Sequence, residues 1–239
     1  MRSRPASSSP REVRSESDRL DALAQYALRF VKAGQTIGLG TGRAASAFIR
    51  AVAESGIHIR GVPTSAASAE LASSLKIELT DFTEVRRLDA DFDGADEVDP
   101  RLNLVKGRGG AMMREKVVAV GARKRIFLAG REKRVKRLGE RGNLPLEVVP
   151  FAAPLALREV AKLGLKPKIR IGQNGHEFIT DNGNLVFDCR TTPIKNATRL
   201  EAELRAVPGV VGTGLFLGIA DIVLIVSEEG KITTLRRRG

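Results

Sequence analysis

The sequence predicts an α/β protein that combines a Rossmann-like parallel-sheet domain with a second, smaller ferredoxin-like α+β domain. In the first half, apolar segments of strand length alternate with segments of helical periodicity. This alternation favours parallel strands joined by helical crossovers. After Gly142 the order changes to strand, helix, two strands, helix and strand, which is the split βαβ arrangement of a ferredoxin-like domain.

The parallel-sheet half begins with a helix, because the apolar residues from Leu20 to Val31 recur at helical spacing until Gly34 ends the pattern. A strand is predicted directly after it. The alternation then continues along the chain, with strands at 35–39, 57–62, 85–92 and 125–129 and helices at 44–53 and 65–75.

The smaller domain is predicted from four strands and two helices, with strands at 146–151, 168–171, 185–189 and 210–215 and helices at 154–163 and 198–207. Residues 220–235 have the pattern of two strands that return to the first sheet. We therefore predict three parts of the chain: a disordered basic tail at 1–17, a Rossmann-like catalytic domain at 18–141 and 216–239, and the small domain at 142–215.

Composition argues against several classes of protein. The longest apolar run, near Leu215–Val226, is interrupted by Gly218 and Asp221 and is far shorter than the ~20 residues of a membrane span. The N-terminus has no apolar stretch typical of a secretory signal. The single cysteine, Cys189, cannot form an internal disulfide, and no Cys/His cluster suggests a zinc site. We expect a cytoplasmic protein that does not enter the membrane.

The formal net charge of +12 is the unusual bulk property. Such an excess attracts either small anions or nucleic acid. Much of it lies in residues 131–141, residues 236–238 and the tail, and the chain has one Tyr and no Trp to stack on bases. A solvated basic face is therefore favoured over nucleic-acid binding.

A glycine-rich segment, Gly38-Leu-Gly-Thr-Gly-Arg43, follows a predicted strand and precedes a helix. Glycines let backbone amides approach a ligand, and a helix N-terminus favours negative charge, so the segment is a candidate anion site. It also satisfies a dinucleotide pattern, but the next strand offers Arg60 instead of the expected acid, which disfavours NAD. A tight turn without a ligand remains the alternative.

Six acidic residues fall within residues 89–99. Strand alternation places Asp89, Asp91 and Asp93 on one face, and a turn at Gly94 can bring Asp96 close to Asp93. A calcium loop is excluded because its twelfth position, which needs a bidentate Glu, is occupied by proline. The alternative is a solvated acidic turn.

The third segment, Lys106 to Lys116, contains a lysine, a glycine turn and a helix that carries Glu115. The usual phosphate-loop pattern of ATP sites is absent. Beside the acids, Lys106 can hold a developing oxyanion and Glu115 can move a proton. For Glu115, an ordinary charged surface triplet at 114–116 is the alternative.

Taken together and in order, these segments resemble the type A ribose-5-phosphate isomerases. The resemblance covers nearly everything from Asp18 to Leu235 and includes seven motifs: 38–42, 61–65, 93–99, 106–111 with 114–116, 145–151, 180–184, and 208–211 with 214–216.

The resemblance implies roles for individual residues. Glu115 corresponds to the general base, Asp93 and Asp96 to acids around the sugar hydroxyls, and Lys106 to a cation near the reacting oxygens. The phosphate-binding positions correspond to Thr41, Gly42, Arg43, Ala44 and Lys133. Further substrate-binding positions are Gly94, Ala95, Gly107, Arg108 and Gly109.

Two departures concern the phosphate. The family usually has serine and threonine where this chain has Arg43 and Ala44, and glycine where it has Arg108. Hydroxyl donors are lost and guanidinium groups are gained. Because a guanidinium can bind phosphate through two hydrogen bonds, Arg43 is expected to compensate.

The resemblance also implies an activity, the interconversion of D-ribose 5-phosphate and D-ribulose 5-phosphate through an enediolate in the non-oxidative pentose phosphate pathway. It implies a homodimer or homotetramer that uses no cofactor. The isolated His58 and His176 do not suggest a metal site. Two alternatives stay open, a sugar-phosphate-sensing domain of a regulator and a coenzyme A transferase-like enzyme.

Overall fold

The computed structural model describes residues 15–237. The helices are α1 Glu16–Ala27, α2 Arg43–Ser55, α3 Ala66–Ser74, α4 Met112–Gly121, α5 Ala153–Lys162 and α6 Ala197–Arg205. Short 3₁₀ turns lie at Leu28–Phe30, Arg131–Lys133 and Pro150–Ala152. None of the helices between residues 15 and 237 is long and apolar enough to cross a membrane.

The strands in the first part of the chain are β1 Thr36–Leu39, β2 Arg60–Pro63, β3 Glu78–Leu79, β4 Ala90–Gly94, β5 Glu97–Val98, β6 Leu104–Val105 and β7 Arg125–Gly130. Those in the later part are β8 Asn143–Val148, β9 Lys166–Ile169, β10 Leu185–Arg190, β11 Val210–Thr213, β12 Leu215–Phe216, β13 Ile222–Val226 and β14 Ile232–Arg236.

The central sheet has seven strands in the order β14-β13-β7-β4-β1-β2-β3. Every neighbouring pair is parallel except β13 with β14, which form an antiparallel hairpin at one edge. Buried side chains of α1 and α2, including Leu23 and Phe48, pack on one face of this sheet. The Rossmann-like parallel sheet and the return of residues 220–235 to it are confirmed.

A separate four-stranded antiparallel sheet has the order β11-β8-β10-β9. With α5 after β8 and α6 after β10, its chain order is that of a ferredoxin-like unit, as predicted. Its own apolar core includes Leu146, Val160 and Phe187. The fold class predicted from the sequence is therefore confirmed.

Several predicted boundaries are wrong. Helix α1 begins at Glu16, inside the predicted tail, because the Ser15 side chain accepts the Asp18 N–H and Asp18 accepts the Ser15 N–H in a capping box. The predicted strand at 210–215 is broken at Gly214, whose N–H donates to Pro145 and whose carbonyl accepts from Lys106. Residues 1–14 of the predicted tail lie outside the described residues.

A third sheet, of three short strands, was not predicted from the sequence. β12, β6 and β5 form a small antiparallel sheet between the acidic segment and residue 216. Strands of two residues carry no periodicity that a sequence pattern can detect. This small sheet places Lys106, which directly follows β6, beside the end of β4.

Candidate active site

The site lies where β1 and β4 end, and glycines make room for its acids. Gly38 pairs with Asp91 across the two strands. A side chain at Gly38 would collide with the Asp91 carboxyl, and one at Gly40 would collide with that of Asp93. Gly42 then adopts φ +100° at the start of α2, a conformation that favours glycine. The glycine-rich segment therefore accommodates two buried carboxyl groups beneath the helix N-terminus.

Lys106 is the centre of the buried cluster. Its Nζ lies 2.9 Å from Asp93 Oδ2 and 3.3 Å from Glu115 Oε2, and it donates to the Gly94 carbonyl at 2.6 Å. The side chains of Lys106 and Glu115 are each 3% exposed, and that of Asp93 is fully buried. The three predicted residues therefore form one desolvated cluster.

Two aromatic rings complete the surroundings of the ammonium. Lys106 Nζ lies 5.7 Å from the ring centre of Phe127 and 5.6 Å from that of Phe216. Ring faces attract a cation. The ammonium is thus held by carboxylates on one side and by aromatic faces on another.

Burial and charge shift the protonation equilibria in this cluster. Burial, and secondly the charge of Asp93, raise the pKa of Glu115 to about 8, against the attraction of Lys106. Burial also raises the pKa of Asp93. Burial alone would lower the pKa of Lys106, but the carboxylates of Asp93 and Glu115 outweigh it and raise that pKa. Lys106 is therefore a permanent cation, and Glu115 titrates near neutral pH.

Thr41 links the glycine-rich segment to its surroundings. Its N–H donates to Asp93 Oδ1 at 3.1 Å, and its hydroxyl lies 2.8 Å from the hydroxyls of both Thr64 and Ser65. Ser68 is 3.2 Å away and also donates to the Gly40 carbonyl. Hydrogen bonds thus connect the glycine-rich segment to the buried Asp93 and to Ser65 at the start of α3.

A cavity of about 320 Å³ opens above the cluster. Among the residues that line it are most of the predicted site residues, namely Thr41, Gly42, Arg43, Ala44, Gly94, Ala95, Asp96, Lys106, Gly107, Arg108, Gly109, Glu115 and Lys133. Asp93 lies beneath the cavity floor. The predicted residues are therefore brought together around one cavity.

Two cations, Arg108 and Lys133, line the cavity beside the acids Asp96 and Glu132, and we call this part of the cavity its cationic end. Burial, and then the charges of Arg108 and Arg141, lower the pKa of Lys133. The Asp96 carboxylate accepts the Arg108 N–H at 3.1 Å, and Asp96 Oδ1 lies 3.8 Å from Arg108 Nε. Crowded cations of this kind favour an anionic ligand.

Arg43 was expected to face a phosphate, but in the structure its side chain contacts Glu16. Its guanidinium donates to Glu16 at 2.7 Å, and its side chain is 71% exposed. It lies at the cavity mouth, where Glu16 also lines the wall. Glu16 was missed because it was assigned to the tail, although the Ser15-x-x-Asp18 pattern is the signal of a helix start.

The strand at 125–129 was predicted, but its contribution to the cavity wall was missed. Leu128, Ala129 and Gly130 at the end of β7, with Glu132 beyond it, line the cavity. Parallel strands end at the same sheet edge, so the end of a predicted strand is the available signal. Between residues 15 and 237 no group of three His, Cys, Asp or Glu side chains is arranged to hold a metal ion.

A titratable carboxyl group and a fixed ammonium line a cavity at the carboxyl edge of a parallel sheet, and Arg108 and Lys133 add two further cations to its wall. These features define an enzyme that moves protons on a small anionic molecule.

Comparisons with known proteins identify the family. Residues 60–230 match the model of Ribose 5-phosphate isomerase A (phosphoriboisomerase A). Ribose-5-phosphate isomerase A of Roseiflexus castenholzii is 47% identical over 212 residues, which are 87% of this chain and 91% of that protein. The chain belongs to the ribose 5-phosphate isomerase A family.

Solved structures agree. A D-ribose-5-phosphate isomerase in complex with phospho-erythronic acid is 37% identical, covers 92% of this chain and 98% of its own, and has a TM-score of 0.88. Ribose 5-phosphate isomerase A from Neisseria gonorrhoeae is 33% identical, with coverage of 95% and 100% and a TM-score of 0.89.

Proposed function

We propose that this chain interconverts D-ribose 5-phosphate and D-ribulose 5-phosphate, in the pentose phosphate pathway, with Glu115 as the base that moves the proton. The observation that carries the role of Glu115 is its contact with Lys106 in a cluster that is almost completely buried. Family membership supports the activity.

Moving a carbonyl between C1 and C2 requires a base that removes a proton from one carbon and returns it to the other. A pKa of about 8 suits Glu115 to both steps, because an acid–base group works best when its pKa is close to the working pH. Glu115 takes the C2 proton of the open-chain aldose and delivers it to C1.

Removal of that proton leaves an enediolate, whose negative oxygens need a cation. Lys106 is positioned to supply it without reorganisation, because Asp93, Glu115 and the Gly94 carbonyl already hold its ammonium. Asp96 lines the cavity, and Asp93 lies behind Lys106 without lining it. We assign to these two acids the exchange of protons with the sugar hydroxyls and assistance in ring opening once the substrate is bound.

We place the phosphate at the cationic end, among the backbone N–H groups at the start of α2, Lys133 and Arg108. The pKa of Lys133 is lowered by burial and secondly by the charges of Arg108 and Arg141, and a bound phosphate would offset the repulsion from these two cations. The ligand in the relative's structure, phospho-erythronic acid, carries a phosphate and a carboxylate. We expect its carboxylate to lie beside Lys106.

We also propose a catalytic domain of residues 16–141 and 216–239, which now begins with α1, and a small domain of residues 142–215. We further propose that the protein is a cytoplasmic homodimer or homotetramer. The fully exposed Phe151 and the neighbouring Leu155 supply an apolar surface that supports self-association.

A direct assay tests the function. Purified enzyme in chelator-treated buffer should convert ribose 5-phosphate to ribulose 5-phosphate, and unphosphorylated ribose should be a much poorer substrate because the cationic end has nothing to bind. Absence of conversion would refute the activity. Loss of activity on chelation that a divalent metal restores would refute the proton-transfer route.

A further inference from the structure

The Thr180–Asn184 turn is a sequence motif to which the proposed chemistry gives no role. It is built on a buried acid of β8, Glu147, whose Oε1 accepts from Thr180 Oγ1 at 2.9 Å, Asn182 Nδ2 at 2.9 Å and Asn184 Nδ2 at 3.0 Å. Gly183 adopts φ +76° within it. Three hydrogen bonds to one fully buried side chain fix the shape of this turn.

One side of the turn holds the helix that carries the base. Arg114 Nε donates to Asn182 Oδ1 at 2.7 Å, and Arg114 Nη2 donates to the Asp181 carbonyl at 2.7 Å. Arg114 immediately precedes Glu115 in the first turn of α4. Two hydrogen bonds from a planar guanidinium limit how that helical turn can move.

The other side of the turn holds the helix next to the phosphate-binding segment. Asp181 Oδ2 accepts the N–H of Ala66, the first residue of α3, at 2.7 Å. Ala66 follows Ser65, whose hydroxyl lies 2.8 Å from that of Thr41. A single carboxylate therefore connects the turn to the segment that we assign to the phosphate.

We infer that the Thr180–Asn184 turn positions both ends of the active site, the base through Arg114 and the phosphate segment through Asp181. The inference rests on the proposed roles of Glu115 and Thr41. The turn precedes β10 of the antiparallel sheet, whereas its two targets belong to helices and loops of the parallel sheet. It sets the spacing between the base and the phosphate, and a shift of about 1 Å in such spacing can cost about 10²-fold in rate.

The two connections can be tested with separate variants, because the side chains of Arg114 and Asp181 are 41% and 35% exposed and lie outside the apolar cores. Both variants also remove the 3.9 Å contact between Arg114 Nη1 and Asp181 Oδ2, which is long and partly exposed and therefore contributes little. Arg114→Met keeps the side-chain stem and removes both hydrogen bonds. Asp181→Ala removes the Ala66 contact and leaves the Asp181 carbonyl available to Arg114. Arg199→Met is the matched control, since Arg199 is an exposed cation of α6 that contacts Glu203.

The two variants should give different kinetic signatures. Arg114→Met should lower kcat about tenfold with KM within about twofold, because the base is displaced and the phosphate segment is not. Its kcat/KM should also begin to rise at lower pH, because Glu115 becomes better solvated and burial is the main cause of its raised pKa. Asp181→Ala should raise KM about three- to tenfold with a smaller change in kcat.

Asp181→Asn is the rescue variant, since an amide oxygen still accepts the Ala66 N–H, and it should restore KM. If Arg114→Met does not fold, Arg114→Lys, which loses one of the two hydrogen bonds, gives the same readout. The inference is overturned if both variants match Arg199→Met, or if both lose activity only in proportion to their unfolded fraction. A failure of the base assignment itself is recognised separately, by an active Glu115→Gln enzyme.

Discussion

The ammonium of Lys106 lies 3.3 Å from the carboxylate of Glu115, with both side chains buried away from water. Lys106 favours the ionised form of Glu115, but burial and Asp93 outweigh it, so the pKa of Glu115 is raised to about 8. The pair therefore combines a base that titrates near neutral pH with a cation that does not.

The first prediction is the pH dependence of the free enzyme. A base must be deprotonated to act, so kcat/KM should rise about tenfold per pH unit below about 8 and level off above it. Initial rates in buffers of constant ionic strength from pH 6 to 9.5 measure this limb. A profile that is already flat at pH 6 would mean that Glu115 is an ordinary carboxylate.

The second prediction concerns the cation. Lys106→Met should lower kcat by about 10² or more, because the enediolate loses its preorganised electrostatic partner. The rise of the remaining activity should shift to higher pH than in wild type, because loss of the Lys106 charge raises the pKa of Glu115 further. If KM alone increased, Lys106 would be a ground-state binding residue.

The third prediction concerns Asp91, whose carboxyl group is fully buried where β4 pairs with β1. Burial, and then Asp93, raise its pKa well above the ordinary value, while Lys106 and Arg125 act in the opposite direction. The folded protein therefore holds a proton that the unfolded chain releases, so Asp91 makes the fold less stable as pH rises above about 4.

Asp91→Asn keeps the volume of the side chain and replaces the carboxyl group, which must stay protonated in the folded state, with an amide that does not titrate. Its free energy of unfolding relative to wild type should increase by up to about 1.4 kcal/mol per pH unit above about 4, until the folded-state pKa is reached. Urea titrations at pH 4.5, 6 and 7.5 measure the difference. A constant difference across these values would show that Asp91 titrates normally.

The fourth prediction concerns the cavity mouth. The exposed Arg43–Glu16 pair contributes only about 0–1 kcal/mol, so a phosphate dianion can displace Glu16 from Arg43. Arg43→Ala should raise KM about tenfold and change kcat less, while Glu16→Gln should lower KM about two- to threefold.

The double change Arg43→Ser and Ala44→Thr, which introduces the hydroxyls usual in the family, should recover part of the loss. These KM values are compared at low salt. An Arg43→Ala enzyme with KM within about a factor of two of wild type would leave the phosphate to Lys133 and the backbone.

Much of the fold could be predicted because its signals are local. Short apolar segments and helical spacing predict the strands and helices of the central sheet, and the glycines at 38, 40 and 42 predict its loop. Each of these signals lies within one short stretch of sequence. Two members of the buried cluster could be placed because Asp93 lies near the end of a predicted strand and Glu115 lies in the first turn of a predicted helix. Lys106 was singled out because it precedes the glycine turn before that helix.

What could not be predicted depends on contacts across the chain. Nothing near Thr180 in sequence indicates that its turn contacts Arg114 and Ala66. The position of Glu16 at the cavity mouth depends on how α1 packs beside α2. The space for the buried Asp91 carboxyl group depends on Gly38 of a neighbouring strand. Pairings between distant segments leave no periodicity in the sequence.

The central claim is that Glu115 carries the proton, and Glu115→Gln tests it most directly. The amide keeps the shape of the side chain and removes its basicity, so kcat should fall about 10² to 10⁴-fold. Calorimetric binding of phospho-erythronic acid should stay within about threefold of wild type, which would show that the site is intact. A variant that binds this ligand normally and keeps more than about a third of the wild-type kcat would contradict the account.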